Sequence, residues 1–308
     1  MSLILGTWQL SGDSYGPIPL ERAFEILRKF ECSGGLLVET SNSYGLQSQS
    51  ERVLSRYFEL HKESRLRVIT KVGNLPHIGR SMPQKWDYEF ITEQASKAIE
   101  RFHDRLYGLL LHSPPVEDRS VDIALSALSA LCRGLRLKIG VALRTTSDLR
   151  YDSLNHTLIQ YGTDILTINF SLLDQRALLY SQRLSELAGR LGTRVFARTV
   201  LNFGFLGNPE LQLLEFFDHR NSWSDNQIAL WRKGSRIFSQ LAFENQLKPV
   251  ELAVRFAASF PFISDICIGF LSGHELVEVQ SGINMGPLNT SLLDKCIDIY
   301  QRNTFFAH

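Results

Sequence analysis

VETSNSYG, Val38 to Gly45, is the stretch whose reading decides the fold. With the GGLL before it, it starts as an apolar β-strand and ends in a short polar turn. Glu39 closes the strand, and Tyr44 follows five residues on, in the loop. Two later runs end in the same manner: LRVITK, Leu66 to Lys71, on a lysine, and LYGLLLH, Leu106 to His112, on a histidine. In a parallel barrel, consecutive strands lie roughly 4.8 Å apart, and chemistry gathers at their C-terminal ends. Glu39, Tyr44, Lys71 and His112 are therefore expected to converge on one pocket.

Working outward, the same alternation fills the chain. Ala23, Phe24, Leu27 and Phe30 recur at helical spacing and predict a helix over Leu20–Cys32, stopped by Gly34-Gly35. Further helices are expected over Gln49–Leu60, Tyr88–Phe102, Asp118–Cys132, Ser147–Tyr161, Gln175–Leu191, Ser224–Asn245, Pro249–Phe260 and Asn289–Gln301, with a short one from Gly273. Between them, apolar runs predict strands at Leu3–Trp8, Leu137–Leu143, Asp164–Phe170, Arg194–Thr199 and Asp265–Gly269. With the three strands already named, the alternation predicts an α/β fold, a single-domain (β/α)8 TIM barrel over residues 1–308. The loop Gly73–Asp87, which holds His77, Arg80 and Trp86, is longer than ordinary connections.

Composition narrows the function classes. A hydrophobic fraction of 44% supports a large core, and the formal net charge of +1 is spread along the chain. No basic stripe points to nucleic acid. The apolar start, MSLILGTWQL, is short and lacks a basic flank, so no secretory signal is read. No run reaches the ~18 apolar residues of a membrane span. Cys32, Cys132, Cys267 and Cys296 fit neither a metal site nor a disulfide framework. They read as free thiols in a reducing, cytoplasmic setting. The expected partner is a small molecule, and the oligomeric state is not legible.

Gly6-Thr7-Trp8, Glu39-Thr40-Ser41-Asn42-Ser43-Tyr44-Gly45 with Ser50-Glu51, Thr70-Lys71 and His112 form an ordered set. The set resembles the aldo-keto reductases, and the likeness covers nearly the whole chain. The segment RTVLNFGFLGN, Arg198 to Asn208, is similar to that family's loop after the seventh strand. The resemblance implies reduction of a carbonyl by NADPH or NADH. It gives Tyr44 the role of proton donor, Lys71 that of a cation lowering the tyrosine pKa, and His112 that of orienting the carbonyl. Glu39 stands where the family has Asp, with about 1.5 Å more reach. It is expected to steady Lys71. The resemblance further implies cofactor contacts at Thr7, Trp8, Thr167, Arg198, Leu201, Ser272 and His274. Family members usually carry a hairpin that plugs the barrel floor before the first strand. No such hairpin is read here, so either another segment covers the floor or the floor is more open.

The cofactor positions depart from the family. Ala142 and Leu143 stand where Ser-Asn would hold the nicotinamide carboxamide, and Thr167 stands for a Gln. From Asp265 to Gln280 there is no Lys or Arg for a 2′-phosphate, and Glu275 lies near that turn. Any NADPH preference is therefore expected to be weak or reversed. Two other readings stay open: a redox-neutral lyase, dehydratase or isomerase that keeps the acid–base cluster, and a non-enzymatic regulatory subunit on the same fold.

Overall fold

Strands rich in Val, Ile and Leu on both faces need cover on both sides, and a parallel sheet wrapped in helices provides it. The computed structural model describes residues 1–75, 83–117 and 119–307; His77 and Arg80 lie outside the described residues. Eight strands form the barrel: β1 (Ser2–Gly6), β2 (Leu37–Glu39), β3 (Arg67–Val72), β4 (Leu106–His112), β5 (Lys138–Ala142), β6 (Ile165–Asn169), β7 (Arg194–Arg198) and β8 (Asp265–Ile268). Each pairs in parallel with the next, and β8 closes on β1. Around them run α1 (Leu20–Cys32), α2 (Gln49–Leu60), α3 (Tyr88–Phe102), α4 (Ser120–Cys132), α5 (Asp152–Gln160), α6 (Ser181–Leu191), α7 (Asp225–Glu244), α8 (Pro249–Ala258), α9 (Gly273–Asn284) and α10 (Thr290–Gln301). Among the described residues no helix is long and apolar enough to cross a membrane.

The strand period of two sorts side chains between an outer core under the helices and a small inner one. Ile4, Ile69, Leu110, Ala142, Ile165, Phe196 and Cys267 fill the barrel interior. Two residues further along the same strands stand Gly6, Lys71, His112, Thr167, Arg198 and Gly269. Inward alternation thus turns an apolar layer into a polar one on moving up toward the mouth.

At the floor, the N-terminal ends of the strands, polar and aromatic side chains gather. Arg194 donates to Asp265 through Nε at 2.9 Å and reaches the Tyr107 hydroxyl through Nη1 at 3.2 Å. The Ser2 amide donates to the same carboxylate at 3.2 Å, and Arg67 lies over the Tyr107 ring at 5.0 Å.

Two expected helices are divided. The segment after β5 first makes a 3-10 turn, Thr146–Arg150, started by a Thr145/Asp148 capping box. Tyr151, with extended ψ of 117°, separates that turn from α5. The segment after β6 likewise makes a turn over Arg176–Tyr180 before α6 begins at Ser181.

Close strand packing leaves no room at Gly140. A Cβ there would sit 2.2 Å from the Ile165 carbonyl oxygen and 2.6 Å from Leu110 Cδ2. Gly140→Ala is expected to cost about 1–3 kcal/mol, the range for overpacking a filled interior, measured as a lowered urea midpoint. An unchanged midpoint would show that β5 and β6 can part without penalty.

Candidate active site

The short strand β2 ends at Glu39, and the chain then turns sharply through Thr40 to Gly45. Two clasps hold that turn against the barrel. Thr7 Oγ1 donates to the Glu39 carbonyl at 3.0 Å, with Ser50 Oγ 2.7 Å away. Ser50 Oγ in turn donates to the Thr7 carbonyl at 2.9 Å. Thr7 is fully buried, so its hydroxyl serves as a structural clasp and is not presented to a ligand.

The turn delivers Tyr44 beside Lys71. Lys71 Nζ donates to Tyr44 Oη at 2.7 Å and to the Thr40 carbonyl at 2.9 Å. It also forms an ion pair with Glu39 Oε1. An ammonium has three donors, and each has an acceptor here. Lys71 is 0% exposed. Glu39 makes its contact despite the extra methylene, so the exchange from Asp preserves the pairing.

His112 completes the group at the end of β4. Its ring stands edge-on to Tyr44 with centroids 5.9 Å apart. Ser41 Oγ and Ser43 Oγ lie 3.0 and 3.3 Å from His112 Nδ1 and fix the imidazole plane. Sequence reading did not assign these serines a part. As small polar residues of a turn they carried no signal of their own, since their partner His112 lies on β4, remote in sequence.

Burial dominates the electrostatics of the group. Burial pushes the Tyr44 hydroxyl well above its ordinary pKa, and the Glu39 charge pushes the same way. The same burial drives Lys71 below the usual lysine value, against the pull of Glu39. Desolvation thus favours the neutral phenol, whose oxygen accepts from Lys71.

Aromatic side chains cover the group. Trp8 stacks on Tyr44 with ring centroids 5.8 Å apart, and His219 lies 4.2 Å from Trp8. Tyr15 and Phe203 stand 4.6 and 5.3 Å from His219. The loop after β1 and the segment before α7 meet here, through a Tyr15–Asp218 bridge and a bond from the Gly16 amide to the Phe217 carbonyl at 2.8 Å. A buried Arg220–Asp218 ion pair at 2.7 Å backs the junction. His219 Nδ1 donates to the Ser14 carbonyl at 2.9 Å, and burial lowers the histidine pKa. A neutral ring with its proton on Nδ1 has an accepting lone pair on Nε2, and that atom is buried without a partner. His219 too escaped the sequence reading, because it sits in an irregular segment far from the motifs.

The remaining sequence-derived positions divide. Thr167 is on the inward face of β6, and its hydroxyl is buried and unpaired. Arg198 ends β7, donates to Asn169 Oδ1 at 2.8 Å and also bonds the Leu143 carbonyl. Leu201 is half-buried and packs on the outer core. Asn202 beside it has a buried Nδ2 with no partner. Unpaired buried polar atoms are rare in folded proteins, and Thr167, Asn202 and His219 all belong to the strand end and loops around the mouth. Ser272 caps α9 by accepting from the Glu275 amide at 3.2 Å, while Glu275 Oε2 accepts from the Leu271 amide at 2.6 Å. His274 is exposed, 3.9 Å from Glu278. This helix start is thus already satisfied by its own hydroxyl and carboxylate. Among the described residues no group of three His, Cys, Asp or Glu side chains is arranged to hold a metal ion.

No curated protein sequence matches the chain. Solved structures share the fold. A glycerol dehydrogenase from Gluconobacter oxydans is 16% identical, with a TM-score of 0.77 over 99% of this chain and 93% of its own. The holo form of an aldo-keto reductase from Bacillus halodurans is 15% identical, with a TM-score of 0.75 over 98% of this chain and 93% of its own. The profile of the Aldo/keto reductase family matches residues 2–296. With a closed eight-stranded barrel and a match across nearly its whole length, the chain belongs to the aldo/keto reductase family.

Proposed function

We propose that the protein reduces a small aldehyde or ketone with a nicotinamide dinucleotide, and that Tyr44 donates the proton. The observation that carries this reading is the 2.7 Å bond from Lys71 to Tyr44 Oη. With Lys71 also held by Glu39 and the Thr40 carbonyl, the phenol oxygen is fixed in place and its proton is directed outward. As that proton leaves, negative charge develops on the oxygen 2.7 Å from the ammonium. Fixed charge of this kind favours the transition state over the ground state. His112, held by Ser41 and Ser43, orients the carbonyl oxygen toward Tyr44. Trp8 and the rings beside it exclude water.

A reduced nicotinamide would supply the hydride. The residues at its end of the site fit. Thr167 offers an unpaired buried hydroxyl for a carboxamide, and Arg198 and Asn202 lie where the chain passes from β7 into the following loop. At the other end, the Glu275 carboxylate accepts from the Leu271 amide and would disfavour a 2′-phosphate at this turn, while Arg22 of α1 is occupied by the Leu271 carbonyl at 2.9 Å. A hydrogen bond to a charged group contributes about 1.5–3 kcal/mol, roughly one to two decades of affinity. Calorimetric titration is expected to show NADH binding at least as tightly as NADPH. Tight binding selective for NADPH would overturn the reading of the α9 turn. If neither dinucleotide bound a folded protein, the redox-neutral alternative would replace the reductase.

A further inference from the structure

Outside the barrel, a groove of about 430 Å³ runs between α2 and the end of α3, with Leu20 at the start of α1 also in its lining. Gln49, Arg52, Ser55, Arg56 and Glu59 of α2 line it, and Arg101 of α3 faces them. Three guanidinium groups against one carboxylate make the lining cationic. Arg52 donates to the Gln47 amide oxygen at 3.2 Å, a neutral partner. Arg56 pairs with Glu59 at 2.8 Å, both more than half exposed, so that pair is weak and open to exchange. The Ser55 hydroxyl is buried with no partner.

Arg101 has a second duty. Its guanidinium forms an ion pair with Glu51, which is 2% exposed. Glu51 accepts the Thr70 hydroxyl at 2.6 Å, and Thr70 is the residue before Lys71. Burial holds the Glu51 carboxyl above the ordinary range, while Arg101, Thr70 and Lys71 pull it down. The groove is therefore connected to the floor of the catalytic group by Arg101, Glu51 and Thr70.

We propose that this groove binds a soluble ligand carrying a phosphate-like dianion, and that the bound anion loosens the hold of Arg101 on the buried Glu51. Arg52 and Arg56 supply the forks that such oxygens prefer, and Ser55 supplies a hydroxyl donor. Arg101 has five donors, so it can meet the anion and Glu51 together. Sharing Arg101 weakens its hold on Glu51, and the carboxyl takes up a proton. Thr70 then loses its charged acceptor next to Lys71.

Sulfate is the probe, because it does not titrate near neutral pH. Calorimetric titration of the full chain, with sodium chloride matched in ionic strength as the control, is expected to show one sulfate site. Arg52→Ala/Arg56→Ala should weaken that site at least tenfold while leaving the thermal midpoint unchanged. Binding heats in two buffers of different ionisation enthalpy should show proton uptake in the wild type and none in Glu51→Gln. Sulfate heats equal to those of chloride, or equal affinity in the double arginine variant, would overturn the site. Sulfate binding without proton uptake in the wild type would overturn the link to Glu51, whatever the folding of Glu51→Gln.

Discussion

Replacing Tyr44 with phenylalanine is expected to lower carbonyl reduction by about 10²–10⁴-fold, the range for loss of a placed general acid. The ring and its stacking on Trp8 survive the change, and only the hydroxyl bonded to Lys71 is lost. Dinucleotide affinity should stay nearly constant, since no contact to that ligand is assigned to the hydroxyl. The loss should fall on kcat and kcat/KM alike, the pattern of an interaction made in the transition state. Turnover undiminished in the variant would assign proton transfer to another group. The pH profile follows from the sign of the Tyr44 shift. Burial raises its pKa, so the donor form prevails throughout the neutral range. Reduction should be flat there, while the reverse oxidation, which needs the phenolate, should climb with pH toward and beyond roughly pH 10. An oxidation rate that levels off near neutrality would show a depressed tyrosine instead.

Replacing Lys71 with methionine should damage the fold as well as the chemistry. Glu39 would be left as a buried carboxylate with no cation, and breaking a buried pair at one partner costs about 3–5 kcal/mol. Urea denaturation is expected to show this as a large drop in midpoint. Adding Glu39→Gln to the same variant removes the stranded charge and should recover much of the stability. Reduction should remain lost, because the Tyr44 oxygen would still have no cation beside it. A Lys71→Met protein as stable as the parent would mean that Glu39 protonates or reaches water at little cost.

The regular parts of this architecture were legible because periodicity records burial. The helices α1, α2 and α3 and the strand β4 lie where apolar spacing put them. The residues Glu39, Tyr44, Lys71 and His112 could be grouped in advance because each closes or follows a strand in a barrel whose strands are neighbours in order. What stayed hidden depends on distances between segments remote in sequence. Ser41 and Ser43 look like ordinary turn residues until β4 lies beside them. His219 acquires its place only when the loop holding Ser14 closes on it. The charge of Lys71 is visible in the sequence, whereas the depth of burial that raises the Tyr44 pKa is not. The divided segments after β5 and β6 misled for a local reason. Two successive start signals, at Thr145 and near Asp152, read as one long helix until the backbone of Tyr151 breaks it.

The saturation of Lys71 bears on side reactions. An enzyme that handles aldehydes while keeping an amine in its pocket risks condensation, in which the amine lone pair attacks the carbonyl and expels water to leave an imine. Attack requires a neutral amine with an exposed lone pair. In this chain the nitrogen is sealed from solvent, faces a carboxylate, and directs every proton toward a fixed oxygen. The geometry that fixes the Tyr44 oxygen beside Lys71 would also keep that lysine inert toward any aldehyde admitted under the proposed function.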